Sequence, residues 1–154
     1  MTFGRLGHAL TLLAVALIGC ATGNAGQRST SVASMDTPAN GATLAQIYFW
    51  RAKQGKLEEY TRYIRERAEP IDAEAQRSGA FVSVTTYMAS DTIVPWTHMR
   101  VFTLRDSTQL RGLSEALAAA GVRLEPDSVK RRQQSEYSAT LRDRVGAVVV
   151  ELVR

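Results

Sequence analysis

The chain has 154 residues, enough for one domain of ordinary size beside a short export segment. Hydrophobic residues make up 45% and charged residues 22%, the balance of a soluble globular domain. The formal net charge is +4, and Arg5 is its only contributor before residue 20, so the remainder carries +3. This mild excess permits contact with anionic surfaces but does not demand a nucleic-acid partner. A single cysteine, Cys20, excludes an intramolecular disulfide and a cysteine-rich metal site.

Residues 1–19 have the three parts of an export signal. Arg5 supplies the positive start, residues 9–18 are an apolar run broken only by Thr11, and Gly19 is a small residue before a cleavage point. The apolar run is too short to cross a bilayer comfortably as a helix. The stretch Leu17-Ile18-Gly19-Cys20 resembles the lipobox of bacterial lipoproteins. That resemblance implies cleavage before Cys20 and acylation of its sulfur and new amino group. Several acyl chains would then hold the protein to a membrane at about 0.8 kcal/mol per buried methylene. The alternatives are an ordinary secretory signal with a stray cysteine, or an uncleaved anchor. Ala21 stands where inner-membrane lipoproteins usually carry Asp, so in a two-membrane bacterium the resemblance implies a cell-envelope protein on the outer membrane, facing the periplasm. Residues 20–43 then form the lipidated cysteine and a tether. The Ser, Thr, Gly, Ala and Asn of residues 21–43 bury too little surface to offset their chain entropy.

The domain is expected over residues 44–154. Residues 45–52 (AQIYFWRA) are aromatic and β-branched, a strand pattern. After a turn at Gln54-Gly55, residues 56–77 place Leu57, Tyr60, Ile64, Ala68, Ile71 and Ala75 on one helical stripe. Pro70 lies inside that stripe and should kink or split the helix near Glu69, and Ser78-Gly79 ends it. Residues 81–88 (FVSVTTYM) and 96–104 (WTHMRVFTL) read as two strands joined by a hairpin-type connection. Asp106 or Ser107 caps a helix striped by Leu110, Leu113, Leu117 and Ala120, with Gly121 as its stop. Pro126 opens a polar helix expected over residues 127–144, with a sparse stripe of Val129, Tyr137, Leu141 and Val145. Residues 146–153 (GAVVVELV) read as a buried strand.

The order is therefore β-α-β-β-α-(α)-β. It is an α+β, ferredoxin-like layout with an additional helix before the last strand, helices lying on one face of an antiparallel sheet. The run Ile47-Tyr48-Phe49-Trp50-Arg51-Ala52-Lys53-Gln54-Gly55-Lys56-Leu57-Glu58-Glu59-Tyr60 is a strand ending in a Gly-Lys turn that feeds a helix with an early aromatic. Phe102-Thr103-Leu104-Arg105-Asp106 runs from a strand into a capped helix. On these segments the chain resembles the dimeric α/β-barrel superfamily, which includes antibiotic-biosynthesis-monooxygenase-like and NIPSNAP-like domains. The resemblance implies a homodimer paired sheet against sheet. It also implies, by analogy alone, a cofactor-independent monooxygenase-like or isomerase-like activity.

Strand alternation sorts the candidate residues onto two faces. Ile47, Phe49, Val82, Val84, Met99, Val101, Val148, Val150 and Leu152 are apolar and are expected under the helices. The opposite parity holds Tyr48, Trp50, Ser83, Thr85, Tyr87, Trp96, His98, Arg100, Phe102 and Glu151, expected to face a partner subunit and enclose a pocket there. His98, the only histidine after residue 20, is the natural proton carrier near neutral pH. Arg100 is suited to an anionic group, Tyr48, Trp50, Tyr87 and Trp96 to an aromatic wall, and Glu151 to orienting His98 or acting as a base. The competing reading is a hydrogen-bonded sheet face with His98 in a structural role, in an envelope protein that serves assembly and not catalysis. One histidine with Glu151 is too few ligands for a structural zinc site. No phosphate loop or nucleophile elbow is present, and no cofactor is expected. Lys130, Arg131, Arg132, Arg142 and Arg144 read as a solvated basic helix surface, with anionic lipid head groups as the sharper alternative. Nucleic acid does not suit an exported, lipid-anchored chain.

Overall fold

Nine residues of alternating character, Leu44–Ala52, form the inner strand β1 of a four-stranded antiparallel sheet. The computed structural model describes residues 41–153. The export-signal segment, Cys20 and nearly all of the tether lie outside the described residues. The other elements are α1 (Leu57–Tyr63), a π-helical turn (Ile64–Ala68), α2 (Glu69–Arg77), β2 (Ser83–Met88), β3 (His98–Leu104), α3 (Ser107–Leu124), α4 (Ser128–Leu141) and β4 (Arg142–Glu151). The strand order is β2-β3-β1-β4, and every neighbour is antiparallel. With this connectivity the fold is ferredoxin-like, α+β, with α4 as the additional helix before the last strand.

Local chemistry explains most boundaries. Pro70 falls in the first turn of α2 and has no N–H to give the carbonyl of Glu66, so the helix changes register immediately before it. The change takes the form of the π-turn Ile64–Ala68. Gly79 adopts φ +80° after the last turn of α2, and Ala80 donates its N–H back to Ala75 O at 3.1 Å, a Schellman-type end. Asp106 caps α3 by accepting from the N–H groups of Thr108 (2.8 Å) and Gln109 (3.0 Å). Asp127 caps α4 in the same way, accepting from Val129 (2.8 Å) and Lys130 (3.3 Å).

Two boundaries differ from the sequence reading. Gly121 does not stop α3, which continues to Leu124; Glu125 is extended (φ −136°, ψ 94°) because Pro126 follows it. Gly121 faces Ile71 of α2, whose Cδ1 would lie in ordinary contact, 3.9 Å, from a Cβ there. The larger difference is at α4, which ends at Leu141 and passes directly into β4. Its last carbonyls are taken by β1's end: Lys53 donates its backbone N–H to Leu141 O (2.9 Å) and its ammonium to Ala139 O (2.8 Å). Residues 142–144, expected as helix, are strand.

On β1, β3 and β4 the sheet faces are reversed from the expectation, whereas Val84 of β2 lies under the helices as expected. Paired residues in an antiparallel ladder share a face. Tyr48 pairs with Arg100, Trp50 with His98, and Val84 with Phe102. These residues lie beneath the helices: Phe102 and Leu104 join Ala75, Phe81, Leu113 and Ala120 in the main core, while Trp50 packs on Tyr60, Ile64 and Leu141 in a second cluster. The apolar set Ile47, Phe49, Met99, Val101, Val148 and Val150 is on the open face. Strand period reports which residues sit together and not which side the helices take. Here the helices bring their own polar and aromatic partners, so the mixed face is the one they cover. Leu104 is fully buried in the main core and away from the cavity described below. Leu104→Ala is expected to cost about 2–5 kcal/mol, read as a lower urea midpoint with an unchanged slope.

Candidate functional site

The inner strands raise a row of side chains toward the helices, and the helices do not fill the space completely. A cavity of about 260 Å³ remains between the sheet, the continuous helix formed by α1, the π-turn and α2, and α3. Its wall is aromatic, formed by Tyr48, Trp50, Tyr60, Tyr63 and Phe102, and its apolar lining is Ile64, Ala68 and Leu117. Ile64 and Ala68 are the two ends of the π-turn, so the register change at Pro70 also shapes the site. The polar lining is three guanidinium groups, Arg100, Arg142 and Arg144. Among the described residues no carboxylate lines it.

Each guanidinium is held differently. Arg100, on β3, is ion-paired with Asp72 of α2, and both are almost wholly buried. Its Nε is buried without a hydrogen-bond partner among the described residues, a donor in excess. Arg142 stacks on Trp50 with Cζ 3.4 Å from the ring centroid and donates Nε–H to Ser138 Oγ at 3.0 Å. Burial holds its pKa below the ordinary arginine value, and the charge of Arg100 acts in the same direction. Arg144 lies over Tyr48, 5.1 Å from the centroid. Neither Arg142 nor Arg144 is ion-paired among the described residues.

A β-bulge turns these last two residues inward. Along β4, Ala147 pairs with Tyr48 and Gly146 with Phe49, but Trp50 pairs with Arg144, leaving Val145 as the extra residue. Unbroken alternation would put Val145 under the helices and Arg142 and Arg144 on the open face. One inserted residue reverses that.

Of the residues singled out from sequence, Tyr48, Trp50 and Arg100 meet in this cavity. His98 is on the same face but not in the lining. It is buried behind Tyr60, ring centroids 4.6 Å apart, with Nε2 3.0 Å from Thr61 Oγ1 and Nδ1 3.0 Å from Thr97 Oγ1. Burial lowers its pKa, so the ring is neutral. Tyr87 is exposed on the open face, and Trp96 packs on Phe49 there, centroids 5.9 Å apart. Glu151 pairs with Leu44, at the far end of β1 from the Trp50–His98 pair, about 20 Å away at strand rise, and so cannot orient His98.

The residues missed were Asp72, Arg142 and Arg144. Asp72 had a signal: a carboxylate at the (i, i+4) position from Ala68, on the buried side of the stripe. Arg142-Asp143-Arg144 also had one, a period-two charge pattern that suits a strand better than a helix.

No family model matches the chain, and no curated protein matches it. Among solved structures it is similar to HapK from Hahella chejuensis, at 11% identity and TM-score 0.49, over 71% of this chain and 92% of that one. It is similar at 12% identity and TM-score 0.49 to a dimeric protein of unknown function and ferredoxin-like fold from Bacteroides fragilis, over 71% of this chain and 96% of that one. A third is a conserved protein of unknown function from Bacteroides thetaiotaomicron, at 12% identity and TM-score 0.47, over 73% and 99%. Similarities of this size carry no functional argument, and the fold rests on the strand order and connectivity above. Among the described residues no helix is long and apolar enough to cross a membrane, and no cluster of three or more His, Cys, Asp or Glu is placed to hold a metal.

Two buried groups set the pH response. Burial pushes the Asp72 carboxyl from 3.8 up to about 6, against the pull of Arg100 and with Glu69 adding to the rise. The folded state therefore holds a proton that the unfolded chain has released, and this contribution to stability, complete below pH 3.8, is lost as pH rises through about 6. His98 acts oppositely: its contribution is present above 6.5 and is lost as pH falls through its lowered folded value. Asp72→Asn should remove the Asp72-linked loss of stability expected in the parent between pH 4 and 6, measured by urea unfolding of both proteins across that range. The His98 ring signal should titrate below 6.5 by NMR.

Proposed function

We propose that the domain binds a small aromatic or otherwise planar organic anion in this cavity, as the working part of a lipid-anchored envelope protein. The observation that carries the reading is the pair Arg142 and Arg144, two cations without carboxylate partners among the described residues, set over aromatic rings at the mouth of a half-enclosed cavity. A cavity of roughly 150 Å³ accepts benzene, so 260 Å³ suits one substituted ring or two fused rings. Guanidinium groups bind carboxylate in a bidentate fork, and the ring faces supply apolar contact. An enzyme of the monooxygenase-like or isomerase-like class would want a proton carrier at the ligand, but His98 lies behind Tyr60 with both nitrogens engaged by threonine hydroxyls. The geometry thus favours binding over catalysis.

The anchor rests on Leu17-Ile18-Gly19-Cys20, and an outer-membrane position facing the periplasm rests on Ala21. A homodimer through the open sheet face is part of the same proposal, supported by the contiguous apolar residues Ile47, Phe49, Met99, Val101 and Val148 that no helix covers.

Benzoate and 2-naphthoate should quench or shift the fluorescence of the full chain through Trp50, and Arg142→Gln should weaken binding by about 1.5–3 kcal/mol, the worth of a hydrogen bond to a charged group. Absence of any saturable change in titration calorimetry would remove the reading. Cys20→Ser should abolish labelling by a palmitate analogue and move the protein from the membrane to the soluble fraction. Val101→Asp should shift sedimentation from dimer to monomer.

A further inference from the structure

The charges at the cavity can be counted. Arg100 is neutralised from within by Asp72, which stands behind it and outside the lining. Arg142 and Arg144 have no such partner among the described residues. Among the described residues the cavity therefore presents two uncompensated positive charges, that of Arg142 half-buried and that of Arg144 exposed. A monoanion pairs with only one of these, whereas a dianion matches both, Arg142 in the half-buried place beside Trp50 and Arg144 at the exposed edge.

The spacing of the two charges is set by the strands. Arg142 sits over Trp50 and Arg144 over Tyr48. Trp50 and Tyr48 are two residues apart on one face of β1, which at strand rise sets their side chains on backbone positions about 7 Å apart. Two acidic groups meeting one guanidinium each must stand on opposite sides of a ring and not on adjacent atoms. A benzene ring fills that gap, fits the volume, and lies against the same aromatic wall.

We propose that the cavity selects a compact dianion whose two acidic groups are separated by a ring, and that Arg142 and Arg144, turned inward by the bulge at Val145, are its specificity-determining residues. The inference rests on the anion-binding reading above. It goes further by fixing the charge and spacing of the ligand and naming the residues that read them. A phosphate or sulfonate in place of either carboxylate satisfies the same geometry.

The test uses the purified full chain and three acids in titration calorimetry: benzoate, benzene-1,4-dicarboxylate and benzene-1,2-dicarboxylate. The 1,4-dicarboxylate should bind at least about tenfold more tightly than benzoate, the value of one added charge-assisted contact. The 1,2-isomer, with both charges on one side, should gain little over benzoate. In R144Q, an exposed strand position whose change leaves the core intact, the 1,4-dicarboxylate should fall to the benzoate level, and R142Q should do the same. Circular dichroism verifies that both variants are folded. Equal affinity for benzoate and the 1,4-dicarboxylate overturns the dianion inference and leaves the anion cavity standing. Retained selectivity in both variants overturns the assignment to these arginines. If none of the three acids binds, the cavity reading itself fails and the inference falls with it.

Discussion

A guanidinium beneath a helix must be paired, and the pairing of Arg100 with Asp72 organises much of this domain. It joins β3 to α2 across the interior, in a place where loss of one partner costs about 3–5 kcal/mol because the other charge stays buried. It commits the face carrying Tyr48, Trp50, His98 and Phe102 to the helix side, and it leaves the apolar parity of the same strands outside. His98 repeats the pattern: a polar ring on β3 is satisfied by Thr61 of α1 and by Thr97. The helices are held to the sheet by specific polar partners as well as by apolar packing.

That arrangement leaves room. A polar and aromatic interface interdigitates less completely than one of leucine and valine, and the π-turn before Pro70 widens the first helix where Ile64 and Ala68 line the cavity with Tyr48 and Trp50. The cavity is the consequence. Its charge comes from the edge strand, where a single extra residue re-aims two arginines. The bulge lies next to Gly146 and opposite the Phe49–Trp50 step, so it disturbs only the edge of the ladder and leaves the β1–β3 pairing continuous. The open face is the other consequence. Ile47, Phe49, Met99 and Val101 are covered by none of the described helices, and such a surface suits a partner.

Most of the fold was legible in the residues. Tyr60, Ile64, Ala68, Ile71 and Ala75 recur at helical spacing, and the aromatic and β-branched runs of β1, β2 and β3 alternate. Asp106 and Gly79 mark ends by chemistry that acts within one turn of chain, and Pro70 placed the break correctly for the same reason. The site was less legible. Tyr48, Trp50 and Arg100 were found together because they share one parity on paired strands. Tyr87 and Trp96 were grouped with them wrongly, since parity carries across a hairpin only when the register is known. Here Tyr87 pairs with Met99 and not with His98.

The sequence by itself determined the order of the elements, the local caps, and the grouping of residues by face within each strand, because these follow from interactions a few residues long. Tertiary structure alone decided which face the helices cover, where α4 gives way to β4, and which way Arg142 and Arg144 point. Each of those rests on a partner far along the chain: Asp72 for Arg100, Lys53 for the carbonyls of Leu141 and Ala139, and the β1 ladder for the bulge at Val145. Nothing in the local pattern around residues 141–146 could supply the hydrogen bonds that Lys53 brings to the end of α4 or the Trp50 ring on which Arg142 stacks.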